Sequence, residues 1–427
     1  MNDKGNAKIE KYLLFLMLVF SCIAYVGYYV YAKKNGITVL ISYSRSNKTM
    51  MQAVSPFIMV FRFGKDVCAT LLLLVEMLSM NRSSRAKVFI GMIMVVAYGT
   101  IIALANNMTM NTIVSGYRMV VFFGALSMYF NSNNFSRITL KRFLNLLSVL
   151  LLINTIIAAI QAYDRLGFKF ALIGQGSYRF MGLFPAAAAF AYFCLGAALF
   201  AYCIDTQSNI YHKQCIIICV IAFVGCYISG TRSSMINLLI ILFVYMIDQS
   251  KMKKSQKILV SVILSLPVIT YILQYATDLA NRGSIFENAI GGGRFTIFFN
   301  SIFSQSFINI LLGNGIGAGS NSAAEFMKIV SSTDLLFLDG TFTAVFYQFG
   351  VIGLLACFVY IWSIVKSIYM KDGLLNSALF GGTIILQCLT TNVLEAFALL
   401  IMLFFCYNAL IKGKDIFIEL AIKRENT

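Results

Sequence analysis

The chain has 427 residues, of which 59% are hydrophobic and only 12% charged, and its mean hydropathy is +0.81. A soluble domain is roughly a quarter charged, so this composition excludes an ordinary soluble enzyme and makes lipid the solvent for much of the surface. The formal net charge is +17, but the basic residues come in short clusters between apolar runs. That is a topogenic pattern and not a nucleic-acid surface.

The apolar runs are about 15–25 residues long, which suits helices. The alternation of a β-barrel is not visible. In hydrocarbon every backbone polar group must be satisfied within its own segment, which again selects helices. The expected fold is therefore an all-α integral membrane protein with about twelve transmembrane helices. The predicted spans are 12–32, 56–80, 88–105, 113–130, 143–163, 182–204, 214–229, 233–247, 258–275, 341–365, 377–392 and 395–411. Lys4, Lys8 and Lys11 precede the first run, which is too long for a signal-peptide core and lacks a small-residue cleavage site. It reads as a retained span. Arg62, Lys65 and Asp66 interrupt the second, whose membrane part is expected to start near Val67. Pro185 and Pro267 are expected to kink their spans.

Lys and Arg in the short loops set the orientation. Arg82, Arg85 and Lys87, then Arg137, Lys141 and Arg142, then Lys213, then Lys251, Lys253, Lys254 and Lys257, then Lys366 and Lys371 all fall on one side of a twelve-span chain. Both termini join that side, the cytoplasmic one. Lys33, Lys34, Arg45 and Lys48 fall on the other side and break the pattern. The organisation is then nine helices in residues 1–275, a long outer loop in 276–340, three helices in 341–411 and a cytoplasmic tail in 412–427.

A connection this long is uncommon inside a compact domain and is often functional. It carries Asp278, Arg282, Glu287, Arg294, Glu325, Asp334 and Asp339, together with Gly291-Gly292-Gly293 and Gly313-Asn314-Gly315-Ile316-Gly317. Phe295–Leu312 has an amphipathic helical pattern and is predicted to lie on the membrane face. A smaller outer loop, Asp164–Met181, carries Arg165, Lys169 and Arg179. The ten cysteines lie in apolar runs or near span ends, which argues against a disulfide framework. The one histidine, His212, has no ligand cluster beside it and reads as a plain surface residue. No metal and no cofactor are expected.

Three features of the outer face carry chemistry. Ser229-Gly230-Thr231-Arg232-Ser233-Ser234 joins two apolar runs with almost no loop, which puts Arg232 at the start of a helix. Helix N–H groups, the positive dipole end and a planar guanidinium together suit a phosphate or pyrophosphate. The alternative is an interfacial arginine reaching for headgroups. Gly293-Arg294 opens the amphipathic segment in the same way, the alternative being a flexible turn with a solvated arginine. Asp339, at the start of the tenth span, is placed to accept a proton from a sugar hydroxyl, or else to cap the following helix. A lipid pyrophosphate leaving group would develop its charge where arginines stabilise it. Residues 33–53 contain no Asp or Glu, which counts against the metal-dependent polyprenyl-phosphate sugar transferases.

The chain resembles the O-antigen polymerase and O-antigen ligase superfamily, the Wzy and WaaL families of bacterial membrane proteins. The likeness rests on Ile228–Ser234, on Gly293-Arg294 followed by Leu311-Leu312-Gly313-Asn314-Gly315-Ile316-Gly317, and on Asp339-Gly340-Thr341 followed by Tyr347-Gln348-Phe349-Gly350-Val351-Ile352-Gly353. The resemblance implies a GT-C-like fold in the bacterial inner membrane with its active face outward. It implies inverting, metal-independent transfer of a glycan from an undecaprenyl-pyrophosphate-linked oligosaccharide, with a chain-length regulator as a candidate partner and no nucleic acid. Arg232, Arg294 and Asp339 would be catalytic. Arg179, Arg282, Glu325, Asp334 and Gly293 would complete the substrate-binding set. The ligases carry a histidine near the position of Asp339, and this chain does not, which favours polymerase over ligase and leaves the general base open. A lipid-linked oligosaccharide flippase is the reading from another class, with Glu76 and Glu395 as its intramembrane charges.

Overall fold

The computed structural model describes residues 3–34, 48–78, 83–132, 137–164, 168–170, 177–249, 305–320 and 340–425. The helices are α1 (Asp3–Cys22), α2 (Val26–Lys34), α3 (Lys48–Leu78), α4 (Ser83–Ala105), α5 (Met110–Ser132), α6 (Arg137–Tyr163), α7 (Ala187–Gln207), α8 (His212–Ser229), α9 (Arg232–Gln249), α10 (Phe307–Leu312), α11 (Thr341–Asp372), α12 (Leu374–Thr390) and α13 (Phe397–Glu425). A short antiparallel hairpin, β1 (Phe168–Phe170) and β2 (Ser177–Arg179), lies between α6 and α7. The protein is an α-helical membrane protein. Among the described residues six helices are long and apolar enough to span a bilayer: Arg85–Ala105, Met110–Asn131, Thr139–Tyr163, Ala187–Gln207, His212–Ser229 and Thr341–Asp372. Ser233–Asp248, Leu374–Thr390 and Phe397–Lys412 are shorter apolar helices at three further expected spans. The span expected at 258–275 lies outside the described residues, as do Pro267 and the Phe295–Ser304 part of the expected amphipathic helix.

Several expectations are corrected. The first span is not one helix: it breaks at Ile23–Tyr25, between α1 and α2. The Tyr25 N–H donates to Leu183 O at 3.0 Å, so a distant backbone carbonyl replaces the helical acceptor. The Lys48–Leu78 stretch is a single helix of 31 residues, with Arg62, Lys65 and Asp66 inside it. Pro185 kinks nothing, because α7 starts after it, at Ala187.

The chain divides into two compact units. One comprises residues 1–89, 121–238 and 396–427; the other comprises 90–120 and 239–395. The first is built around α7, whose small residues let neighbours approach closely. A Cβ on Gly196 would lie 2.8 Å from the Met402 Cβ, and one on Gly225 would lie 2.9 Å from the Cys194 Sγ. Phe143 stacks on Phe405 with centroids 3.6 Å apart, and Phe200 meets Phe143 edge-on at 5.2 Å. The end of α5 is held by α13: Asn408 Nδ2 and Lys412 Nζ both donate to Phe130 O at 3.3 Å. That carbonyl belongs to the last turn of α5, where no intrahelical donor remains.

Two polar pairs in this unit were misread from the sequence. Glu76 is fully buried and pairs with Arg85 (Nε to Oε2, 3.0 Å), which accounts for it as a structural charge. His212 is not a plain surface residue: its Nδ1 lies 2.7 Å from Oδ2 of the fully buried Asp205. Glu76→Ala should cost about 3–5 kcal/mol by leaving the Arg85 charge buried without its carboxylate. Thermal denaturation in detergent should show Glu76→Ala below wild type, with Glu76→Ala/Arg85→Ala recovering part of the loss.

Candidate functional site

In the first unit, α8 ends at Ser229 and Gly230 takes the left-handed conformation (φ 64°, ψ 21°) as its C-cap. That reversal lets α9 begin two residues later, at Arg232. Ser229 Oγ donates to Cys226 O at 2.7 Å and accepts from the Thr231 N–H at 3.3 Å, which fixes the turn. The Met235 N–H bonds to Thr231 O. The N–H groups of Arg232, Ser233 and Ser234 therefore precede the first N–H that has an intrahelical acceptor. Thr231 is 6% exposed and Ser234 is 0% exposed, and among the described residues neither hydroxyl has a hydrogen-bond partner. Buried hydroxyls are normally paired, so both are open to a partner outside the described residues.

The same unit holds Arg179, at the end of β2 opposite Phe168 and partly buried. The chain leaving that strand is pinned by α6. Gln161 Oε1 accepts from the Met181 and Gly182 N–H groups at 3.1 and 3.0 Å, and its Nε2 donates to Gly182 O at 2.7 Å. Asn154 Oδ1 accepts from the Leu183 N–H at 2.9 Å. Two amide side chains thus do the work of a β-partner for a loop that has none.

In the second unit, the predicted span at 341–365 is interrupted. Gly350 sits at φ 65°, ψ −162° inside α11, and the helix breaks there. The break releases carbonyls that lipid cannot satisfy. The glycine-rich segment after α10 takes them. Asn314 N–H and Nδ2 both donate to Tyr347 O, at 2.9 and 3.0 Å, and the Gly315 N–H donates to Gln348 O at 2.9 Å. The Gly317 N–H reaches Gln348 Oε1 at 3.2 Å, and the Ile316 N–H reaches Gly99 O on α4 at 3.0 Å. Ile316 is fully buried against Ala103 and Ile113, in a notch left by Gly99 and Gly116 on α4 and α5. Tyr98 donates its hydroxyl to Leu312 O at 2.9 Å. This motif is an internal plug for a broken helix.

The start of α11 is clamped as well. The helix N-cap is Gly340, not Asp339. Thr341 N–H and Oγ1 both donate to Thr391 O, at 3.0 and 2.9 Å, and Oγ1 accepts from the Val393 N–H at 2.8 Å. Gly340 lies against the last turn of α12, where an added Cβ would be 3.2 Å from Cys388 O and Leu389 O. Close by in sequence, Gln387 is 0% and Asn392 3% exposed, and among the described residues neither side-chain amide has a partner.

Of the residues predicted to form the site, Arg232 opens α9 and Arg179 ends β2. Both belong to the first unit but to separate elements. Arg294, Asp339, Arg282, Glu325, Asp334 and Gly293 lie outside the described residues. The described residues of the second unit that flank them in sequence are the Gly313–Gly317 plug and the clamp at Gly340–Thr341. Thr231 and Ser234 stood in the Ser229–Ser234 motif without a role of their own, and Gln387 and Asn392 were not singled out from the sequence. Their signal was polar side chains at the edges of apolar runs, which alone does not distinguish burial from exposure. No protein-family model matches the chain, and no curated protein matches it.

Proposed function

We propose that the protein is a membrane glycosyltransferase that joins oligosaccharide repeat units, carried on undecaprenyl pyrophosphate, into a surface polysaccharide such as an O-antigen or capsule. The observation that carries the reading is the Gly230–Ser234 turn. It combines a helix N-terminus, Arg232 and two buried hydroxyls that have no partner among the described residues. A pyrophosphate is the ligand that would use all of these at once. In the proposed reaction the acceptor hydroxyl oxygen bonds to the anomeric carbon of the donor. The bond from that carbon to the pyrophosphate oxygen breaks on the opposite face, which inverts the centre. The hydroxyl proton passes to Asp339, and undecaprenyl pyrophosphate departs with its charge against Arg232 and Arg294.

The two hydroxyls give a test that separates ligand binding from folding. Among the described residues they bond to nothing, so Thr231→Val with Ser234→Ala should leave thermal stability unchanged. Lost hydrogen bonds to a charged ligand should lower kcat/KM for the lipid-linked donor by roughly tenfold or more. Unchanged kcat/KM alongside a clear loss of stability would assign both hydroxyls to folding and remove the support they give.

A further inference from the structure

We propose that a groove between α1 and α6 binds one anionic phospholipid. The groove belongs to the first unit and encloses about 360 Å³. It is lined by Lys8, Lys11, Tyr12, Phe15, Leu16 and Val19 on α1 and by Thr139, Arg142 and Leu146 on α6. On α1 these residues recur at helical spacing and form one stripe. The stripe from Lys8 to Val19 runs about 16 Å along the axis. Phe15 holds the two helices together, its ring 5.9 Å from Phe143.

The polarity of the groove is graded. All three cations lie toward the start of their helices, while Phe15, Leu16, Val19 and Leu146 follow further along. Among the described residues Lys8, Lys11 and Arg142 have no acidic partner. The neighbouring acid, Glu10, is 3% exposed and does not line the groove. Tyr12 and Leu16 are 54% and 42% exposed, so the apolar stretch opens outward where acyl chains run. Three cations over an apolar channel of this length complement a phosphodiester headgroup with its acyl chain. A free anion would leave the channel empty, and an uncharged lipid would leave the cations unmatched. Basic pockets between membrane helices hold anionic headgroups by this balance of charge and apolar contact.

Native mass spectrometry of the full chain, purified in detergent and supplied with equal phosphatidylglycerol and phosphatidylcholine, tests the assignment. The wild type should retain one phosphatidylglycerol in clear preference to phosphatidylcholine. Each neutralised cation should weaken that preference roughly fivefold, so Lys8→Gln/Lys11→Gln/Arg142→Gln should lose it. Lys366→Gln/Lys371→Gln, at the basic end of α11, should keep it. An equal loss in that second variant would reduce the effect to general surface charge and overturn the site. So would equal retention of the two lipids by the wild type. Displacement of the lipid by millimolar inorganic phosphate would show that the acyl channel contributes nothing, and displacement by equimolar undecaprenyl phosphate would reassign the groove to the polyprenyl carrier. A rise in thermal midpoint with phosphatidylglycerol in the wild type but not in the triple variant provides a second readout if the triple variant is poorly folded.

Discussion

Arg232→Ala should stop chain growth while the protein still inserts and accumulates normally. The expectation follows from where the charge develops. As the glycosyl group leaves, negative charge gathers on the pyrophosphate, and a donor held at a helix N-terminus stabilises that charge without reorganising. Removing one such donor typically lowers the rate roughly a hundredfold or more. Arg294→Ala is expected to do the same, because the sequence gives it the same setting: a glycine-rich turn followed by a helical pattern. Lysine should be a poor replacement at either position, since it offers a point charge where a planar fork is needed. Surface polysaccharide resolved by length on a gel should collapse to a single repeat in both alanine variants. Wild-type length in both would remove the pyrophosphate role from these residues.

Gly350→Ala and Gly317→Ala should each unfold the second unit or prevent its assembly. Gly350 has φ 65° and Gly317 φ 85°. An L side chain is strained at such φ values. The space is also missing: a Cβ at Gly350 would strike Leu311 O, and one at Gly317 would strike Thr112 O, both backbone atoms. Neither can yield without pulling the plug away from the carbonyls of Tyr347 and Gln348. A bare carbonyl in hydrocarbon costs several kcal/mol, so each variant should lose about 3 kcal/mol or more. Gly91→Ala and Gly382→Ala are the controls, since an added Cβ meets nothing within 4 Å at either position. Both should match or exceed wild-type stability, because alanine is the better helix former. Thermal unfolding in detergent distinguishes the two pairs. Equal midpoints for all four variants would mean that the plug does not hold α11.

The hydropathy of the chain made its class legible, since long apolar runs with few charges leave lipid as the only suitable solvent. The turn at Gly230 and the helix starting at Arg232 were legible too, because two apolar runs meet there with almost no loop between them. What escaped was each feature made by partners far apart in sequence. The break at Ile23–Tyr25 depends on Leu183 O, and nothing near Tyr25 announces it. Gly350 was visible as part of the Tyr347–Gly353 motif, but not its positive φ, which accompanies packing against a plug some 35 residues earlier. His212 and Asp205 face each other across a turn whose geometry no local pattern encodes. Thr231 and Ser234 were visible only as members of the Ser229–Ser234 motif, Gln387 and Asn392 carried no signal, and only packing shows all four buried. The Gly313–Gly317 motif was visible as a motif, but its role was not: its glycines admit the chain's own backbone.

Reconstitution tests the proposed reaction. The purified chain would be placed in proteoliposomes with undecaprenyl-pyrophosphate-linked repeat units, and both glycan length and released carrier would be measured over time. Chains longer than one repeat should form, with one undecaprenyl pyrophosphate released for every bond formed, and the Arg232→Ala protein should give neither product. Lipid-linked substrate crossing the bilayer without any growth in chain length would contradict it and make the protein a transporter.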